Sequence, residues 1–476
     1  MAESGSTIVL YPSPEIGHVV PMVELGKLIL RRTPTKLHSI TILLNADVSD
    51  SPPLSSYIKQ ISHSNPDIIF HRFPHLPVKP PHTTMTGIAV MFDLIQRNTV
   101  NVDSALTQIT RSTKIHAFII DFFCGSAIPI ADKFNLQTYY LFTFGAAMLG
   151  FSLYFPKIDK LGFDRSFKEL KSTFLDIPGL PPISATHLPG PLLDFKDPAY
   201  ACTVHFCEQL AKTTGILVNT FDGFEPEAEK GLADGTYNPD SISITPPVYY
   251  VGPLIADPSE HKNGVADEDR ESRRVFSWLD QQEKQSVVLL CFGSGGVFDE
   301  TQLKEIATGL ENSGARFLWV VKNPKIITSV DFDLEALFPD GFLRRTENRG
   351  FVTKSWAPQG EILTHASIGG FVTHCGWNSV LEAVAAGVPM VAWPMYAEQF
   401  VNRAVMVESM EMAIGIEEDE NGFVKASEVE GKVKQLMEGR VLRERSSKMK
   451  EMSLAAIGDS GTSTAALMKL MKIWNL

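Results

Sequence analysis

Two titratable residues stand at the ends of apolar runs, where reactive groups of α/β proteins are commonly found. His18 follows the run TIVLY (7–11) and the loop PSPEIG (12–17), and Asp121 closes the run AFIID (117–121). An imidazole there can exchange a proton near neutral pH, and a carboxylate beside it would fix the ring's tautomer and stabilise the imidazolium. Both residues also have plainer uses. A lone His is commonly structural, and Asp121 could cap the segment that follows it.

A second constellation lies where the run GGFVTH (369–374) breaks into CGWNS and then the helical pattern NSVLEAVAA. Small and polar residues opening a helix leave amides at its start; with the helix dipole and the Ser379 hydroxyl, these make an anion site to which His374 adds a donor. The alternative is that Asn378 or Ser379 merely caps the helix. Trp356, before Pro358 and the short helical QGEIL, could stack on a flat ring or be a half-buried core aromatic. There is no GxxxxGK[ST] loop, and GSGGVF (293–298) departs from G-x-G-x-x-G spacing, which argues against a nucleoside triphosphatase or a nicotinamide enzyme.

The elements that must position these residues alternate. TIVLY precedes the helical VPMVELGKLILRR (20–32) and then SITILL (39–44); AFIID precedes AIPIADKF (127–134). A second set runs from SVVLLCFGS (286–294) through TQLKEIATGLENSG (301–314), RFLWVV (316–321), GFVTKSW (350–356) and IGGFVTH (368–374) to PMVAWP (389–394). Alternation of this kind predicts βαβ units and parallel sheets, hence two α/β domains in series. The polar stretch 255–271 between them reads as a linker, and 462–476 reads as a docked terminal helix. In such sheets ligands sit beyond the carboxyl ends of the strands.

The segment from Trp356 to Gln399, WAPQGEILTHASIGGFVTHCGWNSVLEAVAAGVPMVAWPMYAEQ, closely resembles the signature box of plant family 1 UDP-dependent glycosyltransferases. The resemblance extends through SPEIGH (13–18), AFIID, LVNTF (217–221), YVGPL (250–254) and CFGS (291–294) over essentially the whole chain. It implies the GT-B fold, two Rossmann-like doubly wound parallel-sheet domains facing across a cleft. Residues 1–250 would bind the acceptor, 251–274 link, 275–456 bind the UDP-sugar, and 457–476 pack back on the first domain. It further implies that Trp356 holds uracil, that Ala357 also belongs to the donor site, that Gln359 and Glu382 meet the ribose, and that Ser294, His374, Asn378 and Ser379 hold the diphosphate. Trp377, Glu398 and Gln399 would read the sugar, with Thr143 touching it. Many members have Asp where this chain has Glu398; Gln399 resembles the glucose version, and Trp377 disfavours glucuronate.

By the same resemblance His18 is the general base and Asp121 its partner, so that an acceptor hydroxyl attacks the anomeric carbon and gives a β-O-glucoside. A phenol, ordinarily near pKa 10, needs such a base near neutral pH. Ile16, Met85, Phe92, Phe123 and Tyr396 are candidates for an acceptor pocket suited to planar flavonoid-like phenols. Three rivals stay open: C-glucosylation of a polyhydroxylated aryl ketone by the same base, a nucleotide-sugar or flavonoid binding protein without turnover, and a glucuronosyltransferase, which Trp377 disfavours.

Composition narrows the partners. With 55 acidic against 43 basic residues and a formal net charge of -12, the chain lacks the basic field that nucleic acid demands. The apolar windows 115–131 and 383–393 are short or interrupted, unlike a spanning helix, and no secretory leader is evident. Five scattered cysteines without a CxxC pair indicate neither a disulfide framework nor zinc. The expectation is a cytoplasmic monomer that takes UDP-glucose as co-substrate and needs no cofactor or metal.

Overall fold

A computed structural model describes residues 5–33, 37–46, 52–76, 87–238, 245–257, 266–323, 333–354 and 358–476. Trp356, Ala357 and Met85 lie outside these residues. Two compact units emerge, one of 1–256 with 455–476 and one of 257–454.

The first unit holds strands β1 (Gly5–Tyr11), β2 (Ser39–Leu44), β3 (Ile68–Arg72), β4 (Thr113–Asp121), β5 (Thr138–Phe142), β8 (Gly215–Val218) and β9 (Val248–Tyr250). A small antiparallel ribbon, β6 (Phe174–Leu175) with β7 (Ile183–Ser184), stands apart. The seven strands form one parallel sheet in the order β3-β2-β1-β4-β5-β8-β9. Strands such as β1 and β5 are buried along nearly their whole length, as in parallel sheets covered on both faces. Chain order reverses between β1 and β4, the point beyond whose strand ends doubly wound sheets bind their ligands.

The second unit holds β10 (Val287–Cys291), β11 (Arg316–Val320), β12 (Gly350–Thr353), β13 (Ile368–Thr373), β14 (Met390–Ala392) and β15 (Ala413–Gly415). These also form a parallel sheet, in the order β12-β11-β10-β13-β14-β15, with its reversal between β10 and β13. The helix Glu300–Ser313 illustrates the local coding. Asp299 caps its start by accepting from the Gln302 N–H, and Gly314 ends it at φ 71°, a conformation cheap only for glycine.

The terminal helix Thr462–Ile473 belongs to the first unit. Leu467, Leu470, Met471 and Trp474 enter the core that also contains Ile8, Leu10 and Ile119, each stabilising by roughly 1.5–3 kcal/mol. The Ser463 hydroxyl donates to the Gly252 carbonyl at 2.6 Å, and His116 Nδ1 donates to the Trp474 carbonyl at 2.8 Å.

Two local readings differ from the observed elements. The first long helix begins at Ile16 rather than at 20, which puts His18 in its first turn instead of on the preceding loop. Glu15 precedes that turn without a side-chain cap, so the sequence carries no start signal there. A helix, Ala266–Leu279, also begins inside the stretch read as linker, and the unit boundary falls at 256/257. The charged composition suggested a loop, but Arg270, Arg273 and Arg274 are exposed side chains of this helix.

Candidate functional site

At the reversal of the first sheet, His18 and Asp121 meet. His18 follows β1 and Asp121 ends the neighbouring β4. Asp121 Oδ1 accepts from the Phe123 N–H at 3.1 Å and so caps the short 3-10 turn Phe122–Ala127; Oδ2 lies 2.8 Å from His18 Nδ1. Capping and pairing are therefore both true, one per oxygen. A carboxylate can only accept, so the imidazole proton sits on Nδ1 and Nε2 is the basic nitrogen. Asp121 is wholly buried and His18 is 8 % exposed, which keeps the pair in a low-dielectric setting where it is worth more than in water.

Thr143, read from sequence as a sugar contact, has its Oγ1 at 3.1 Å from His18 Nδ1, where it is a second acceptor for the same N–H. The rings of Phe123 and Phe144 flank the imidazole at centroid distances of 5.5 and 5.6 Å. Phe92 is buried and packs tilted behind Phe123 at 5.3 Å and edge-on against Phe206 at 4.9 Å, so it supports the aromatic wall from within. Ile16 is half-buried at the helix start, packed on the core of this unit.

Glu225 and Phe144 escaped the sequence reading. Glu225 is buried, and its carboxylate accepts from the N–H groups of Ala146 and Ala147 and from the Thr220 hydroxyl at 2.7–2.9 Å. It thereby closes the start of the helix Ala146–Asp159, immediately after the segment that brings Thr143 and Phe144 to His18. Burial pushes its carboxyl up to about 7, against these three donors. Each donor left bare by its removal would cost about 1–3 kcal/mol. Only a long-range contact reveals this role: Glu225 lies 79 residues from Ala146.

At the reversal of the second sheet, β10 runs into the turn Phe292–Gly296 and β13 into His374, Cys375 and Gly376. The helix Trp377–Ala386 follows with Gly376 as its N-cap and no side-chain cap. Neither Asn378 nor Ser379 caps it, and the amides of its first turn have no intrahelical acceptor to donate to. The His374 ring is wedged between two glycines: a Cβ on Gly293, whose φ is +69°, or on Gly376 would meet its Nε2 at 2.4 Å. Burial, reinforced by nearby Lys322, holds His374 down to about 4, so it presents a neutral ring with one N–H.

Around that turn the remaining candidates fall into separate hydrogen-bonded groups. Gln359 Nε2 donates to Ser379 Oγ at 2.8 Å and to Glu382 Oε2 at 2.6 Å. Desolvation pushes the half-buried Glu382 up to about 7, with the Gln359 bond opposing. Gln399 Oε1 accepts from the N–H groups of Met395 and Tyr396 at 2.9 and 3.0 Å. Asn402 Nδ2 donates to the Cys375 carbonyl at 2.9 Å and to Glu398 Oε1 at 3.4 Å, tying Glu398 to the turn. Trp377 is buried at the helix start. Ser294 is exposed in the β10 turn, where the neighbouring Gly295 N–H donates to Tyr396 Oη at 3.2 Å. Tyr396, an acceptor-pocket candidate by sequence, thus lies against the Ser294 turn. Lys322 was missed: its Nζ donates to the Gly293 carbonyl. It closes the run RFLWVV, so its place at a strand end was readable. Among the described residues no group of three or more His, Cys, Asp or Glu could hold a metal ion, and no helix is long and apolar enough to cross a membrane.

Two doubly wound parallel units, each with polar side chains gathered at its point of strand-order reversal, define the GT-B class of fold. The family described as UDP-glucoronosyl and UDP-glucosyl transferase matches residues 259–457. Over 98% of this chain and 99% of the relative, the sequence is 52% identical to UDP-glycosyltransferase 88F3 of Pyrus communis. It is 50% identical, with the same coverage, to a phloretin 2'-O-glucosyltransferase of Malus domestica. The solved structure of Phytolacca americana UGT2 complexed with UDP-2fluoro-glucose and pterostilbene aligns at a TM-score of 0.86 and 31% identity, covering 99% of this chain and 100% of that one. The chain belongs to the plant UDP-glycosyltransferases, enzymes that depend on a UDP-sugar.

Proposed function

We propose that this enzyme transfers glucose from UDP-glucose to a hydroxyl of a flavonoid-like or other phenolic acceptor, giving a β-O-glucoside with inversion. The observation that carries the reading is the His18–Asp121 pair, 2.8 Å apart and buried at the reversal of the first sheet. With Nδ1 engaged by Asp121, His18 Nε2 takes the acceptor's proton as its oxygen attacks the anomeric carbon; Asp121 stabilises the imidazolium that forms. The relatives named for phloretin and the structure holding pterostilbene support a phenolic acceptor.

On the donor side, Trp356 and Ala357 hold uracil, and Gln359 and Glu382 meet the ribose. The diphosphate lies at the start of the helix Trp377–Ala386, against Asn378, Ser379, His374 and Ser294. Trp377, Glu398 and Gln399 face the sugar. The Gln399 oxygen already accepts two backbone N–H groups, so its Nε2 is the end suited to a sugar hydroxyl. The aromatic wall of Phe123, backed by Phe92, receives the acceptor, and Ile16, Met85 and Tyr396 are further acceptor-binding candidates. The same reading has the protein acting as a cytoplasmic monomer without added metal or cofactor.

Incubating the protein with UDP-glucose and a phenolic panel that includes phloretin tests this. Equimolar UDP and an acid-labile glucoside are expected by mass spectrometry. Binding of donor and phenol without UDP release would refute it, and an acid-resistant product would reassign the bond to carbon.

A further inference from the structure

Lys322 follows β11, the strand hydrogen-bonded to β10 on the side away from β13. It is half-buried, and its ammonium donates to the carbonyl of Gly293, in the turn that carries Ser294. Its electrostatic neighbours among the described residues are the Cys291 thiol and the His374 ring, not a carboxylate. That is unusual in a chain with 55 acidic residues, because a cation withdrawn from water costs free energy unless a negative charge faces it.

The groups assigned to the diphosphate leave the same gap from the other side. Ser294, Asn378 and Ser379 are neutral donors, and His374 is held neutral by its burial. Helix-start amides supply partial charge only. A doubly charged ligand beside them lacks a formal counter-charge, and among the described residues no carboxylate faces Lys322.

We propose that Lys322 is a donor-binding residue, its ammonium serving as the charge partner of the nucleotide's diphosphate beside the Gly293–Ser294 turn. The proposal rests on the donor-site reading given above. Lysine suits the position as a compact point charge on a flexible stem that can keep its bond to Gly293 while turning another N–H toward phosphate oxygen. The charge matters only for ligands that carry phosphate. Uridine, read through its base and ribose, should be indifferent to it.

Calorimetric titration of UDP and uridine into the wild-type enzyme and the variants Lys322→Met, Lys322→Gln and Lys322→Arg tests this. Met and Gln are expected to weaken UDP by about tenfold to a hundredfold and to leave uridine within about twofold, whereas Arg stays within about threefold of wild type for both. The salt dependence of UDP binding should flatten in Met. Gln can still donate to Gly293, so wild-type UDP affinity in Gln would show that the residue only pins the turn and would overturn the proposal. Equal losses for UDP and uridine, or no loss in Met, would also overturn it. Uridine binding reports that each variant is folded. If the wild-type protein binds UDP no tighter than uridine, the donor-site reading itself fails and takes this inference with it.

Discussion

His18 Nδ1 and Asp121 Oδ2 lie 2.8 Å apart although 103 residues separate them in the chain. Adjacency of β1 and β4 at the reversal of strand order produces this meeting, and the second Asp121 oxygen, fixed on the Phe123 N–H, sets the carboxylate's orientation. The pair is thus built from backbone topology plus one cap.

Asp121→Asn keeps the shape and the Phe123 bond but removes the charge that stabilises a protonated His18. Steady-state kinetics should show kcat lower by roughly a hundredfold or more, with KM for UDP-glucose nearly unchanged. A change confined to KM would contradict a role through His18.

Thr143→Val separates two uses of one hydroxyl. Because Thr143 Oγ1 lies 3.1 Å from His18 Nδ1, its loss should lower kcat by about three- to tenfold, and Thr143→Ser should restore the rate. A rise in KM for UDP-glucose at constant kcat would instead favour the sugar contact that family resemblance implies.

Strand positions were the most legible part of the sequence. SITILL coincides with β2; TIVLY and AFIID end where β1 and β4 end but start two and four residues inside them, and IGGFVTH runs one residue past β13, because buried parallel strands are apolar runs between polar turns. The start of the first helix was not legible, since Glu15 offers no cap, and the helix from Ala266 hid in a charged stretch. Within the site, His18, Asp121 and the helix start at Trp377 could be read because each ends or opens an element. Glu225 could not, since its partners are set by tertiary packing.

His374 gives a pH signature. Folding lowers its pKa from the ordinary 6.5 to about 4, so between those values the unfolded chain binds a proton that the folded chain does not. Its contribution to stability is therefore full above about pH 6.5 and is lost as pH falls toward 4, amounting to at most about 3 kcal/mol. Glu225 and Glu382, raised to about 7, act oppositely and lose stability as pH climbs from about 4.5 to 7. Chemical denaturation of wild type and His374→Gln at each pH cancels those terms. The difference between the two should shrink on acidification from pH 6.5 to 4.5; a constant difference would mean that His374 titrates normally.

The base assignment is tested most directly by the initial rate of UDP release from UDP-glucose with a saturating phenolic acceptor, comparing wild type with His18→Ala across pH 6 to 9. At pH 7 the variant should be slower by roughly a hundredfold or more, and the gap should narrow as rising pH ionises the phenol without help. Turnover by His18→Ala equal to wild type at pH 7 would contradict the account.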